Sequence, residues 1–312
     1  MSRSEPDTLR RRRKRLRDTL LAAADWIVPP AVFRSLTYYR PAELAFRIRN
    51  GAVLASNAAL RNRHAGERCF ILANGPSVNQ QNIRPLAHET VISVSKGYHH
   101  PDFRTVRPRY HCVPQITYGN MIPEMTVAWF REMDAALPPE TELFLASQEY
   151  ELVQQNRLFP ERTVRYLCPG QRYFAKKPAA IPDLTGLVPR AESVPVMALI
   201  IALYMGFARS YLLGVEHDWF VSKRYDYFFD RSAVPWKDAG VNSDGTMDNK
   251  LLNDLPHVHR LWTQYAALDA LARANDAEIF NATAGGMLDV FPRVRFEDIV
   301  SRSDARSRAA RG

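Results

Sequence analysis

From Arg68 onward the chain alternates short apolar runs with stretches of helical character, and this alternation constrains the fold more than any other feature. The runs cover residues 69–73, 91–94, 110–113, 143–146 and 164–167. Two more, 211–215 and 279–280, follow predicted helices at 194–205 and 261–274. Unbroken apolar runs, rather than an in-and-out alternation, are what strands buried on both faces require. Such strands separated by helices predict an α/β fold: a variant Rossmann-type, mostly parallel sheet with helices on both faces. We assign residues 65–300 to this domain, residues 1–64 to a basic arm with a helical extension, and residues 301–312 to a disordered tail. Residues 216–256 lack periodicity and are too long for a passive connection, which predicts a lid.

The net charge of +9 suggests nucleic acid until it is located. Residues 1–17 contribute +6 and residues 301–312 contribute +3, so residues 18–300 sum to zero. A neutral body excludes a broad phosphate-binding face, and with it a nucleic-acid partner. Residues 9–28 place a dense arginine run before Leu20, Leu21, Trp26 and Ile27, a pattern suited to peripheral attachment at an anionic membrane surface. The most apolar stretch, residues 194–207, is 14 residues long. That suits a buried helix better than the roughly 20 residues of a membrane span. Cys69, Cys112 and Cys168 lack metal-ligand spacing and fall in or beside strands, so buried thiols in a reducing, cytoplasmic setting are expected. No cleavable signal peptide is visible.

The segment Ala73-Asn74-Gly75-Pro76-Ser77 ends the first predicted strand. Gly75 permits close backbone approach, Pro76 fixes a turn, and Ser77, or Asn79 a little later, is placed to cap a short helix after it. In open parallel sheets this position binds nucleotides through backbone amides. The segment matches neither the dinucleotide glycine pattern nor a P-loop.

Together with the strand VISVS (91–95), the segment RCFILANGPSV resembles the start of bacterial proteins that carry a GNGPS motif. These include monofunctional lipooligosaccharide sialyltransferases and a related family of unknown function found with polysaccharide and flagellar-glycosylation genes. The resemblance continues through SVPVMALIIALYMGFARSYLLGVEHDWF (193–220) and over residues 259–281, spanning most of 68–292. It implies a glycosyltransferase of bacterial surface polysaccharide (lipopolysaccharide) biosynthesis. The enzyme would move a sialic-acid-like sugar from a CMP-activated or other nucleotide-sugar donor to a glycan or lipid-linked oligosaccharide hydroxyl, with no metal and no further cofactor.

Aligning the helix after the lid places His259 at the family's general base, a task suited to a side chain that titrates near neutrality; His257 is the neighbouring competitor. The family's lid tyrosines, which meet the leaving phosphate, correspond to Tyr225 and Tyr227, with Lys223 and Arg224 beside them. The implied donor pocket comprises Asn74, Gly75, Pro76, Ser77, Ser95, Ser193 and Glu216. Glu216, His217 and Asp218 come directly after a strand, where they suit hydroxyl binding; three adjacent residues do not converge easily on a metal. The sequence departs from the family pattern at Ala73 (a glycine there), at Ser95 and Pro114 (asparagines, the latter with Gln115), and at Ser193-Val194-Pro195 (a TSG turn). These departures leave two alternatives: a pterin diphosphokinase-like enzyme using ATP and Mg²⁺, and a non-catalytic glycan-assembly protein.

Overall fold

A computed structural model describes residues 41–301 except 115, 117–121, 171–173, 175–179, 234–240 and 249. The basic arm at 9–28 and the tail at 302–312 lie outside the described residues.

Eight strands form one sheet: β1 (Arg68–Leu72), β2 (Thr90–Val94), β3 (Tyr110–Cys112), β4 (Glu142–Ala146), β5 (Val164–Pro169), β6 (Leu187–Val188), β7 (Arg209–Leu213) and β8 (Glu278–Asn281). Their spatial order is β6-β5-β4-β3-β2-β1-β7-β8. Every pairing is parallel, with Phe70 opposite Val91 on one side and Tyr211 on the other. The helices are α1 (Pro41–Arg49), α2 (Gly51–Ala55), α3 (Phe103–Val106), α4 (Pro123–Ala136), α5 (Tyr150–Gln155), α6 (Val194–Tyr204), α7 (Trp219–Ser222) and α8 (Leu251–Arg273). The domain is therefore the α/β, Rossmann-like architecture that the alternation predicts. All seven expected strands are present. The short β6 lies in residues 171–190, where no periodicity marks it.

The core sits between the sheet and α6, whose residues from Pro195 to Tyr204 are all buried. A helix that is apolar all round needs cover on every side, and α6 finds it on β1, β2, β3, β7 and α8. No helix among the described residues is long and apolar enough to cross a membrane. Cys69, Cys112 and Cys168 are buried free thiols.

The segment before β1 runs along the domain from one edge of the sheet to the other. The Glu43 carbonyl lies 4.0 Å from Cys168 Sγ at the carboxyl end of β5. At the amino edge, Arg63 bonds Glu142 at 2.5 Å, and His64 bonds the Tyr110 hydroxyl at 2.7 Å while stacking on Phe207. Between them Asn57, fully buried, donates to the carbonyls of Tyr166 and Leu184. Buried polar groups need such partners, so this extension is fastened by specific bonds as well as by apolar contact.

Two features of the fold position a site. The chain leaves β1 to build β2 through β6 on one side, then returns to add β7 and β8 on the other. The connections after β1 and β7 thus lead to opposite sides, toward β2 and toward β8, and open parallel sheets bind ligands in the crevice at such a switch point. The second feature is length. At about 1.5 Å per residue the 23 residues of α8 span about 34 Å. A five-residue strand covers about 17 Å, so the first half of α8 stands beyond the carboxyl edge as a wall. The sequence places the start of this helix at residue 261. The structure moves it to Leu251, with Pro256 inside. Proline removes one backbone donor and leaves the carbonyl four residues earlier without its helical partner. Here that carbonyl belongs to Leu252, which solvent reaches.

Candidate active site

The crevice is a cavity of about 1060 Å³ along the carboxyl ends of the strands. This is at the upper end of the roughly 300–1,000 Å³ of ordinary ligand pockets. Its floor begins where β1 ends. The β1–β7 ladder continues past the strands, with Ala73 N–H donating to Leu213 and Gly75 N–H to Gly214, both at 2.9 Å. Asn74, Gly75 and Pro76 line the cavity, as do Ser95, Ser193, Glu216, Tyr225 and Tyr227.

Ser77 does not line it. It is 3% exposed, and its amide donates to Glu216 Oε1 at 2.8 Å. The turn that the sequence offers to a phosphate is thus already engaged by a carboxylate of the chain itself. Gly75 has an extended backbone (φ −69°, ψ 152°) open to any residue. It is glycine for a steric reason: a Cβ there would lie 1.5 Å from Glu216 Oε2. Burial pushes the Glu216 carboxyl above its ordinary value, the bonds from Ser77 oppose the rise, and Asp218 adds to it.

Next along the floor, Ser95 holds a left-handed conformation (φ 48°). Its support is His111, fully buried between β2 and β3, which donates from Nε2 to the Ser95 carbonyl at 3.0 Å. Its Nδ1 accepts from Ser93 Oγ at 2.8 Å. Burial holds this ring down at about 3, so it stays neutral and keeps that tautomer. His217, on the β7 side, is also left-handed (φ 49°) and also held at about 3 by burial. Its Nε2 lies 2.8 Å from the Tyr265 hydroxyl. Burial raises that phenol, with Ser193 beside it, so it keeps its proton and donates to the imidazole. Left-handed non-glycine residues store strain that surrounding structure must hold in place, and two of them line this cavity.

The chain after α7 lines the crevice through Arg224 to Tyr227 and is tied to the β1 turn. Phe228 N–H donates to the Asn74 carbonyl at 3.0 Å, and Asn79 Nδ2 to the Phe228 carbonyl at 2.8 Å. Tyr225 and Tyr227 face each other edge to face at 5.6 Å. Arg231 bonds the Tyr225 carbonyl at 2.5 Å and covers the Tyr227 ring at 5.5 Å. The positive charge expected beside them is balanced: Arg224 binds Asp226 at 2.7 Å, and Lys223 binds Asp254 at 3.0 Å.

The two histidines of α8 are separated by the helix itself. Residues two apart lie about 200° round the axis. His257 lines the cavity with Asn253, Asp254 and Leu261. His259 is exposed on the far side, where Thr263 Oγ1 donates to its carbonyl at 2.7 Å, and it is not among the cavity's lining residues. The position implied for the base therefore points away from the crevice. The reason is that α8 starts ten residues earlier than the sequence indicates, so no lid–helix junction exists at 257–259.

His257 has a partner that sequence reasoning missed. Glu192, just before α6, accepts from His257 Nδ1 at 2.6 Å. Arg260 Nε and Nη2 reach the same carboxylate at 3.1 and 3.0 Å. Arg260 Nη2 also lies 2.8 Å from Nδ1. A guanidinium only donates, so the carboxylate is the acceptor for both; with the Nδ1–H bonded to Glu192, a neutral ring carries its lone pair on Nε2. The available signal was the spacing of His257 and Arg260, one turn apart, with an acid flanking the long apolar helix. Among the described residues no group of three His, Cys, Asp or Glu side chains is arranged to hold a metal ion.

No family model matches the chain, and no curated protein matches it. Among solved structures it is similar to the MAf glycosyltransferase from Magnetospirillum magneticum AMB-1, at 16% identity and a TM-score of 0.43. The likeness covers 87% of this chain and 46% of that one, so the chain spans about half the length of that protein. A likeness this loose assigns neither activity nor substrate.

Proposed function

We propose that the chain is a glycosyltransferase that works at the carboxyl-edge crevice, with His257 as general base in place of His259. The observation that carries this reading is the Glu192–His257 pair, which lines the same cavity as the loops after β1 and β7. His257 Nε2 takes the proton of an acceptor hydroxyl. The hydroxyl oxygen forms the new bond to the anomeric carbon as the bond to the donor phosphate breaks, and that electron pair leaves with the phosphate. Glu192 holds the ring and offsets the charge it gains. The hydroxyls of Tyr225 and Tyr227 meet the departing phosphate.

The charge of the lining supports a donor with a single phosphate. The cations beside the lining, Arg224, Lys223 and Arg260, are already paired with Asp226, Asp254 and Glu192, so a single phosphate suits the crevice better than two. A CMP-linked, sialic-acid-like sugar is a donor of that kind, and it agrees with the resemblance of the β1 turn. The acceptor is a glycan or lipid-linked oligosaccharide of a surface polysaccharide.

Thermal-shift screening of CMP, UDP, GDP and ATP, each with and without Mg²⁺, tests the reading. Stabilisation by CMP without metal is expected. Stabilisation only by ATP with Mg²⁺ selects the diphosphokinase alternative. No stabilisation by any nucleotide, with glycan production unchanged in cells carrying His257→Ala, selects a non-catalytic role.

A further inference from the structure

The turn after β7 sets His217, Asp218 and Trp219 on the crevice, and the transfer step described above uses none of them. The turn is held under strain. His217 keeps its left-handed backbone (φ 49°) while Glu216, just before it, is clamped from the far edge of the sheet. Met287 N–H donates to the Glu216 carbonyl at 2.7 Å, and a Cβ on Gly286 would lie 2.4 Å from Glu216 Cα. The loop after β8 thus fixes a backbone conformation that would not persist alone.

A chain of hydrogen bonds then fixes the His217 ring. Ser193, at the start of α6, bonds the Tyr265 hydroxyl, and that hydroxyl lies 2.8 Å from His217 Nε2. Tyr265 is fully buried on α8, so its phenol keeps its proton and donates it to the ring. A neutral imidazole that accepts at one nitrogen carries its proton on the other. Nδ1–H is therefore a donor, and among the described residues nothing accepts from it. Asp218 supplies the opposite function. It stands directly before α7, where an aspartate ordinarily engages the helix amides. Here the side chain makes no cap bond and lines the crevice instead. Trp219 lies edge to face with the His217 ring at 5.5 Å and reaches Tyr225 at 6.2 Å. It forms an apolar wall beside the donor and the acceptor.

From this arrangement we infer that the β7 turn is a subsite for a neutral sugar ring, an inference that rests on the reading of the crevice as a transferase site. A sugar hydroxyl both donates and accepts, which one N–H and one carboxylate side by side can satisfy. The C–H face of the ring packs on the Trp219 indole. An acidic sugar or a phosphate is disfavoured here. Burial holds His217 at about 3, so it brings no positive charge, and the Asp218 carboxylate repels an anion. The subsite therefore holds the ribose of the donor nucleotide or the acceptor sugar, and not an acidic sugar in transfer.

Nuclear magnetic resonance of the full chain with ¹⁵N-labelled histidine tests this without any transfer activity. Long-range proton–nitrogen spectra should show His217 as the neutral Nδ1–H tautomer from about pH 5 to 8, and Tyr265→Phe should abolish that preference. Cytidine or a methyl glycoside of a neutral hexose should shift the His217 signals, and N-acetylneuraminic acid should not. A response to cytidine alone identifies the ribose; a response to the glycosides alone identifies the acceptor sugar. In titrations followed by tryptophan fluorescence, His217→Ala should weaken the responding ligand about tenfold. His217→Asn keeps an N–H near the Nδ1 position and tolerates the left-handed backbone, so it should stay within about threefold of wild type. Unchanged circular dichroism spectra will show that the variants fold. An Nε2–H tautomer, or a ring that titrates near its ordinary value, overturns the proposal. So do His217 signals that no neutral sugar shifts, or that N-acetylneuraminic acid shifts equally. If a methyl glycoside moves His217 while CMP binds nowhere, the proposed donor fails and the subsite stands.

Discussion

Gly75 and Glu216 occupy one space: a Cβ on Gly75 would lie 1.5 Å from Oε2 of Glu216, whose Oε1 accepts from the Ser77 amide. The glycine that reads as room for a ligand is room for a side chain of the same protein. In Gly75→Ala the carboxylate has to leave, which breaks the Ser77 bond and overpacks the turn. The expected loss is about 1–3 kcal/mol. Adding Glu216→Ala should restore part of it, so the double variant will lie well above the sum of the singles in urea unfolding. Strict additivity would show that the two residues do not share this contact.

Glu216 also sets a pH dependence. Its carboxyl is raised in the folded protein, so the folded state binds the proton more tightly than the unfolded chain. This contribution is complete below the ordinary value of 4.5 and is lost as pH rises through the raised value. Glu216→Gln removes the titration and keeps an oxygen for the Ser77 amide. The melting temperature of the variant relative to wild type should therefore climb as pH rises above 4.5, then level off. A pH-independent difference would refute the assignment.

His111 works in the opposite direction. Its ring is held at about 3 against an ordinary 6.5, so its contribution is whole above 6.5 and fades as pH falls toward 3. At pH 5 the expected loss from this one group is about 2 kcal/mol, from 1.36 kcal/mol per pH unit over the interval below 6.5. Urea unfolding at pH 7 and pH 5 measures it. His111→Gln should start less stable yet show a flatter acid limb.

The two α8 histidines separate in turnover. With a nucleotide-sugar donor, His257→Ala should lower kcat by about 10²–10⁴, whereas His259→Ala should leave it within a few-fold of wild type. Glu192→Gln should fall between them, because the ring then loses its anionic partner but keeps an acceptor. If His259→Ala is the severe variant, the proposed base is wrong.

The sequence made the sheet legible because buried parallel strands are continuous apolar runs, and the 194–205 helix because an all-apolar stretch admits few other placements. It misjudged α8, whose first six residues fall in the 216–256 stretch that lacks periodicity. A helix tolerates proline where the freed carbonyl meets water, as at Leu252. The placement of residues 73–77 at the crevice was legible; the engagement of Ser77 was not. Its amide is taken by a residue 139 positions away, and no local pattern encodes that pairing. Glu192 was hidden for the same reason, since its two partners lie on a helix whose start was misplaced.

The position of β1 between β2 and β7 has a consequence for how the protein is made. The registers that pair Cys69 with Thr90 and with Ser210 join neighbours about 20 and about 140 residues apart in the chain. Closing the longer of these contacts is slow. During synthesis the first five strands have their neighbours available well before β7 emerges. The edge of β1 that will receive it stays open until then. The crevice, which needs Asn74 and Glu216 side by side, is therefore absent from every chain that stops short of Glu216. Ligand-binding capacity should arrive late and all at once, marking that translation has passed β7.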